Sequence, residues 1–395
     1  MAEPVQKIPF FYPSFSREEE EAAIRILRSG WLTTGNETLL FEKEFARFVD
    51  SPHALAVNSA SSGLILAMDA FGVGPGKSIV TTPYTFISTA TAARHLGAEV
   101  RYADIEDTSY NIDPAAIETV LAQHPEACAV VPVHIAGNVC RMDEIHDICS
   151  FYGKKHGHYI AVIEDAAHAF PANTDKGYAG TLADAGVFSF YATKTITSGE
   201  GGMICVRDAE KAKRMSIMRS HGIDRPVWDR YTAEKASWIY DVVDEGWKFN
   251  LPDILSAIGR VQLSKARSFF DKRLRIVQRY NDAFSGNDAL LLPPDSPGNA
   301  WHLYLLRIVP EALDLNRDGI ARELQERGIG ISLHFIPHFE MTWYKQRYGS
   351  NSNRFPHAER QYERTISIPL WPDMSDGQIT RVIDTVLDCI ERHRK

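Results

Sequence analysis

Apolar and polar positions follow two alternating rhythms over most of this chain. Between about residues 53 and 206, short runs rich in β-formers alternate with helical stretches. HALAVNS precedes SSGLILAMDAFG, SIVTTP precedes TFISTATAARHLG, and AEVRYADI precedes DPAAIETVLAQH. ACAVVPVHI then precedes MDEIHDICSFYGKK, and YIAVIEDA ends the series. Strands separated by helices predict βαβ units, hence an α/β fold with a large, mainly parallel sheet covered by helices. GVFSFYAT and GGMICVRD follow without a full helix between them, which predicts a hairpin or an antiparallel strand late in the sheet. Pro132 limits how far its own strand extends, because proline cannot donate to a ladder.

Outside this block the signals are helical. Ser16 and Glu19 form a capping box for a helix that runs to Gly30. One long helix is expected over 251–284. The turn-rich GNDALLLPPDSPGNA then separates a large domain, 1–285, from a small C-terminal α+β domain, 286–395. In that second region the pattern predicts a strand (WHLYLLRIV), a helix ending at Gly328, a strand (GISLHF) and a last helix. The last helix is capped by Ser375 and Gln378, and it puts Ile379, Val382, Ile383, Val386, Leu387 and Ile390 on one face. Residues 225–250, rich in Trp, Tyr and charge, read as an irregular excursion.

Composition narrows the function classes. At 395 residues with 44% hydrophobic and 24% charged positions, the chain can bury a large core and is neither disordered nor membrane-like. A net charge of −8 gives no electrostatic reason to propose nucleic acid as a partner. The five cysteines are widely spaced without CxxC, which indicates neither a disulfide framework nor a zinc site. The start lacks a basic region followed by an apolar stretch, and no apolar run approaches the ~20 residues that span a bilayer. A cytoplasmic protein without a membrane partner is expected.

Two tempting motifs fail. In FGVGPGKSIV the first P-loop glycine would be Phe71, and the segment leads into a strand where a P-loop leads into a helix. His156 and His158 could pair on a metal, but an HGH between a helix and a strand is better read as a solvated turn, and no metal is expected. Three other elements gain meaning from their order. NSASSG, from Asn58 to Gly63, joins a strand to a helix and places small and hydroxyl residues where backbone N–H groups converge on an anion, although alone it is also an ordinary cap. Asp165 ends a strand of a parallel sheet, where ligands gather. FSFYATK presents Lys194 on a strand–turn, with Ser189 five residues before it.

Together they supply the protein parts that pyridoxal phosphate needs: a Schiff-base lysine, an acid for the pyridinium nitrogen, and hydroxyl and N–H groups for the phosphate. An acid held at the ring nitrogen keeps it protonated, so that the ring accepts electrons from the substrate α-carbon. Phe86, in TPYTF, is placed to stack on such a ring, with core packing as its plainer reading.

SGWLTTG, NSASSGL, PYTF, VPVHIAG, IEDAAHAF, FSFYATKTITSGEGG, RSHG, GWKFNLPDILSAIGRVQL, HLYLLRI, ISLHFIPHF and ISIPLWPDMSD resemble, over nearly the whole chain, landmarks of the DegT/DnrJ/EryC1/StrS family of sugar aminotransferases. That resemblance implies fold type I and pyridoxal 5′-phosphate as cofactor. It implies Lys194 for the Schiff base, Asp165 for the pyridine nitrogen, Ala60, Ser61 and Ser189 for the phosphate, and Phe86 for the ring face. It further implies a homodimer with shared active sites, in which Lys248 or Asn250 of one subunit reaches the phosphate of the other. Trp31 and His334 are candidates for sugar contacts, with ordinary packing the alternative for each.

The implied reaction moves an amino group, from glutamate, to a nucleotide-linked 4-keto-6-deoxy sugar. Amination at C3, a keto-cyclitol acceptor, or a cofactor-binding regulatory protein without turnover are the alternatives. Two departures stand out. His168 replaces the usual Gln after EDAA, offering a hydrogen bond or a stacking face but adding a titrating group. SASSGL replaces the usual SGTAAL, with Ala60 in place of a glycine. Some relatives that dehydrate sugars carry His at the Schiff-base position, and Lys194 argues against that chemistry.

Overall fold

The computed structural model describes residues 7–224, 239–349 and 352–395. A seven-stranded sheet is formed by β1 (His53–Val57), β2 (Ser78–Thr81), β3 (Glu99–Tyr102), β4 (Ala127–Val130), β5 (Ala161–Asp165), β8 (Ala185–Ser189) and β9 (Gly202–Val206). A two-residue hairpin, β6 (Asn173–Thr174) with β7 (Gly177–Tyr178), interrupts the series. The spatial order is β1-β9-β8-β5-β4-β2-β3. From β8 to β3 every pairing is parallel, and β9 runs antiparallel to both of its neighbours. This is the predicted βαβ block with its late antiparallel strand. β4 stops at Val130, and Pro132 lies beyond it as an acceptor for the Asp165 amide at 2.9 Å.

Alternate residues of one strand enter different cores, which is why both faces carry helices. Val187 and Ile204 join the cluster under the helix Ala60–Ala70, whereas Phe188 and Met203 join Phe41, Phe45 and Phe190 on the other side. The parallel pairing of β5 with β8 brings their carboxyl ends, Asp165 and Ser189, to one edge.

Helices form at Arg17–Ser29, with the expected capping box and a left-handed Gly30, and at Asp253–Phe284 over 32 residues. A helix at Asn36–Phe48 has no counterpart in the sequence reading. It starts after Gly35, which has no side chain to cap it. Its cap is Asp253, which accepts from the amides of Gly35 at 2.7 Å and Thr38 at 3.0 Å across more than two hundred residues of chain.

The C-terminal region contains a three-stranded antiparallel sheet, β10 (Leu290–Leu291), β11 (Tyr304–Ile308) and β12 (Thr365–Ile368). Helices Arg317–Glu326 and Asp376–Arg392 cover it, and Ile276, Val277, Tyr280 and Phe284 of the long helix enter the same core. The strand expected at GISLHF is a correction. Its backbone partners are split between the N-terminal segment, where the Gly330 amide donates to the Ile8 carbonyl at 2.7 Å, and Ser367, which bridges Ser332, so no ladder forms. Of the excursion expected over 225–250, residues 225–238 lie outside the described residues. No helix among the described residues is long and apolar enough to cross a membrane.

Candidate active site

At the carboxyl edge of the sheet lies a cavity of about 420 Å³, with the end of β5, the turn after β8 and the start of the helix Ala60–Ala70 in its wall. Ser59 caps that helix by accepting from the Ser62 amide at 3.1 Å, and Ala60 and Ser61 line the cavity at the helix N-terminus. Gly202 of β9 lets this helix start sit close on the sheet, because a Cβ there would stand 2.8 Å from the Ala60 nitrogen. Amides and a helix dipole thus converge where an anion is favoured.

Asp165 is buried at the end of β5. The Thr89 hydroxyl donates to Oδ2 at 2.7 Å and the Ala167 amide donates to Oδ1 at 3.2 Å. Burial pushes its carboxyl upward, and these two donors together with the nearby Lys194 charge oppose that rise. Lys194 follows β8 in a turn closed by its own amide on the Tyr191 carbonyl at 2.9 Å. The loop beyond is pinned by the Thr195 hydroxyl on the Phe170 carbonyl, 2.6 Å, and the Thr197 hydroxyl on the Phe190 carbonyl, 3.0 Å. Burial lowers the Lys194 ammonium to about 8, with Asp165 pulling the other way.

Phe86 lines the cavity with 56% of its surface exposed, an unusually open face for a phenylalanine. Ser189, His168 and His334 line the cavity too, so the structure brings together every expected site residue except Trp31, Lys248 and Asn250. Trp31 donates from its indole to the Thr34 carbonyl at 3.3 Å. Lys248 and Asn250 flank the outer side of β1, where the Asn58 amide donates to the Phe249 carbonyl at 2.8 Å. Lys248 is exposed there.

His168 corrects one expectation. The Ala136 amide donates to its Nδ1 at 3.3 Å, and its ring stacks on Phe335 with centroids 5.4 Å apart. Burial, then the charges of Lys194 and His334, hold it well below the usual histidine range, so it adds no group that titrates near neutrality. His334 is also held down, to about 3, by burial and by Lys194, while its Nδ1 meets the Ser367 hydroxyl at 2.8 Å. His156 and His158 are half-buried and not in the solvated turn expected: each ring Nε2 bonds a backbone carbonyl, those of Leu121 and Ala127 at 2.9 Å.

Sequence reasoning missed Thr89 and His302. Thr89 lies three residues beyond Phe86 but 76 before Asp165, and only the parallel sheet joins them. His302 stands 4.5 Å from His168, ring centre to ring centre, in the same cavity.

The residues fit pyridoxal phosphate on the geometry alone. A lysine of lowered basicity, a buried acid, a helix N-terminus and an open aromatic face share one cavity. A family model described as the DegT/DnrJ/EryC1/StrS aminotransferase family matches residues 13–387. The chain is 38% identical over 387 residues to the spore coat polysaccharide biosynthesis protein SpsC of Bacillus subtilis, covering 97% of each. The putative sugar aminotransferase Spr1654 from Streptococcus pneumoniae, in its PMP form, superposes with a TM-score of 0.91 at 28% identity, covering 98% of this chain and 99% of that one. Helicobacter pylori PseC, an aminotransferase involved in the biosynthesis of pseudoaminic acid, superposes at 0.88 with 28% identity, covering 98% and 100%. The fold is that of the type I pyridoxal-phosphate enzymes, the activity is that of a sugar aminotransferase, and the chain belongs to the DegT/DnrJ/EryC1/StrS aminotransferase family.

Proposed function

We propose that this enzyme passes an amino group from glutamate to the keto carbon C4 of a nucleotide-linked 4-keto-6-deoxy sugar, in the cytoplasm, as a homodimer whose sites share residues. The observation that carries the chemistry is the meeting of Lys194 and Asp165 in one cavity with the helix start at Ala60 and Ser61. The acceptor class rests on the likeness to SpsC and PseC, named for spore coat polysaccharide and for pseudoaminic acid.

When bound, the cofactor supplies an electron sink for the substrate carbon that loses its proton. Lys194 Nζ would hold the cofactor and, when free, would carry a proton, and an amine lowered to about 8 by burial suits both roles. Asp165, its carboxylate oriented by the Thr89 hydroxyl and the Ala167 amide, would hold a proton at the ring nitrogen. Ala60, Ser61 and Ser189 would hold the phosphate, and the open face of Phe86 would take the ring. His168, fixed by the Ala136 amide at Nδ1, keeps its proton on Nε2 and can only donate from there. Trp31 and His334 are the proposed sugar contacts, of which His334 alone lines the cavity of its own chain. Lys248 and Asn250 lie outside that cavity, which suits a contribution to the site of a second copy.

The test is a panel of nucleotide-linked keto sugars with glutamate, products being assigned by NMR. A new amine at C4 is expected. Amination at C3 or of a keto-cyclitol would replace this acceptor by another, and inertness of every sugar with glutamate would sink the reading.

A further inference from the structure

Arg273, on the long helix Asp253–Phe284, is 1% exposed. Among the described residues no carboxylate pairs with it. Its Nη1 donates to three backbone carbonyls, those of Trp301 at 3.4 Å, His302 at 3.3 Å and Leu370 at 3.0 Å. Nε and Nη2 are sealed from solvent with no partner among the described residues. A buried cation without an acid is costly to keep. What it holds is a segment that needs holding. Trp301 is a bulky residue at φ 48°, in the left-handed region that side chains disfavour.

The same segment is clamped from the other side. Ala300 and His302 donate from their amides to the carbonyls of Gly137, 3.0 Å, and Ala136, 2.9 Å. A Cβ at Gly137 would stand 2.8 Å from that of Ala300, so the two turns interlock with no slack. Ala136 in turn donates to His168. Helix, carbonyls, His302, Ala136 and His168 therefore form one connected unit that ends in the cavity holding Lys194.

We propose that Arg273 is a positioning residue of the active site: by gripping the carbonyls of Trp301 and His302 it fixes the His302 imidazole beside His168 in the cavity wall. This goes beyond the sugar assignment and does not depend on which acceptor is used. His302 is the effector of the unit, and its Nδ1 is sealed and has no partner among the described residues, so its orientation comes from the backbone and the neighbouring rings. The groups facing it are His168, Lys194, Arg273 and His334, which with burial all disfavour its protonation.

The experiment is a double-mutant cycle with Arg273→Met, His302→Asn and the pair, reading the dissociation constant of pyridoxal phosphate from the apoprotein and the turnover of the holoenzyme. Arg273→Met is expected to weaken at least one of the two by about tenfold, and by less than about twofold once His302 is Asn. Ring-labelled histidine NMR supplies a reading that a general loss of stability would not produce. His302 should not titrate between about pH 5.5 and 8 in the wild type. Its signal should shift in Arg273→Met, toward easier protonation because one opposing charge is gone.

Full additivity, an unchanged His302 signal, or a His302→Asn variant equal to wild type in both readings would each overturn the proposal. Should Arg273→Met not fold, the cycle passes to Arg273→Lys. Its single ammonium lacks the reach of the guanidinium fork, so coupling with His302 is still expected and additivity is still fatal.

Discussion

The hydroxyl of Thr89 donates to Oδ2 of Asp165 at 2.7 Å, and both residues are buried. Burial would drive Asp165 toward its neutral form, and this bond is one of the few features opposing it. Hydrogen bonds to charged groups contribute about 1.5–3 kcal/mol. Thr89→Val, of similar shape, should therefore lower turnover about tenfold to a hundredfold, and Thr89→Ser should recover most of it. Rates within twofold of wild type for Thr89→Val would remove Thr89 from the site.

Asp165→Asn tests the acid itself. A neutral amide cannot hold the ring nitrogen protonated, which should cost at least ~10³ in rate, about 4 kcal/mol in the barrier. Cofactor should still bind, as read by its visible absorbance. A variant within about tenfold of wild type would count against the assignment.

Lys194 carries a pH signature. Capture of pyridoxal phosphate needs the neutral amine, so the capture rate by apoprotein should rise with pH and level off just above about 8, where an ordinary lysine would keep climbing toward 10.5. The sign for stability agrees. Between about 8 and 10.5 the unfolded chain binds the proton and the folded one does not, so raising the pH across that window stabilises the apoprotein. Borohydride reduction and peptide mapping should place the label on Lys194, and a label on another lysine would overturn both statements.

His168→Gln should be nearly silent. Burial, then the Lys194 and His334 charges, hold the imidazole well below the usual histidine range, so glutamine is expected to remove no charge. Turnover within about threefold and an unaltered pH–rate profile between about 5.5 and 8 are expected on that ground. Loss of an acidic limb from the profile would mean that His168 titrates.

Mixing two inactive proteins examines the shared site. One carries Lys194→Ala, the other alanine at both Lys248 and Asn250. Each mixed dimer would contain one intact site, so random exchange should restore up to roughly a quarter of wild-type activity. With folding, exchange and inactivity of each parent verified, a mixture that stays dead assigns the phosphate contact to a single chain.

Much of this molecule was legible without coordinates, because the signals were local. The alternation of β-rich and helical runs announced the mainly parallel sheet, and small residues after β1, an acid ending β5 and a lysine after β8 announced the cofactor. The capping boxes at Ser16 and Ser375 marked helix starts, since each cap and its partner lie three residues apart. What tertiary structure decided was set by residues far apart in the chain. The helix Asn36–Phe48 takes its cap from Asp253, Asp165 takes its proton donor from Thr89, and GISLHF loses its strand because the N-terminal segment and Ser367 divide its backbone. The neutrality of His168 and the weak basicity of Lys194 come from burial, a property of the folded cavity that no residue carries by itself.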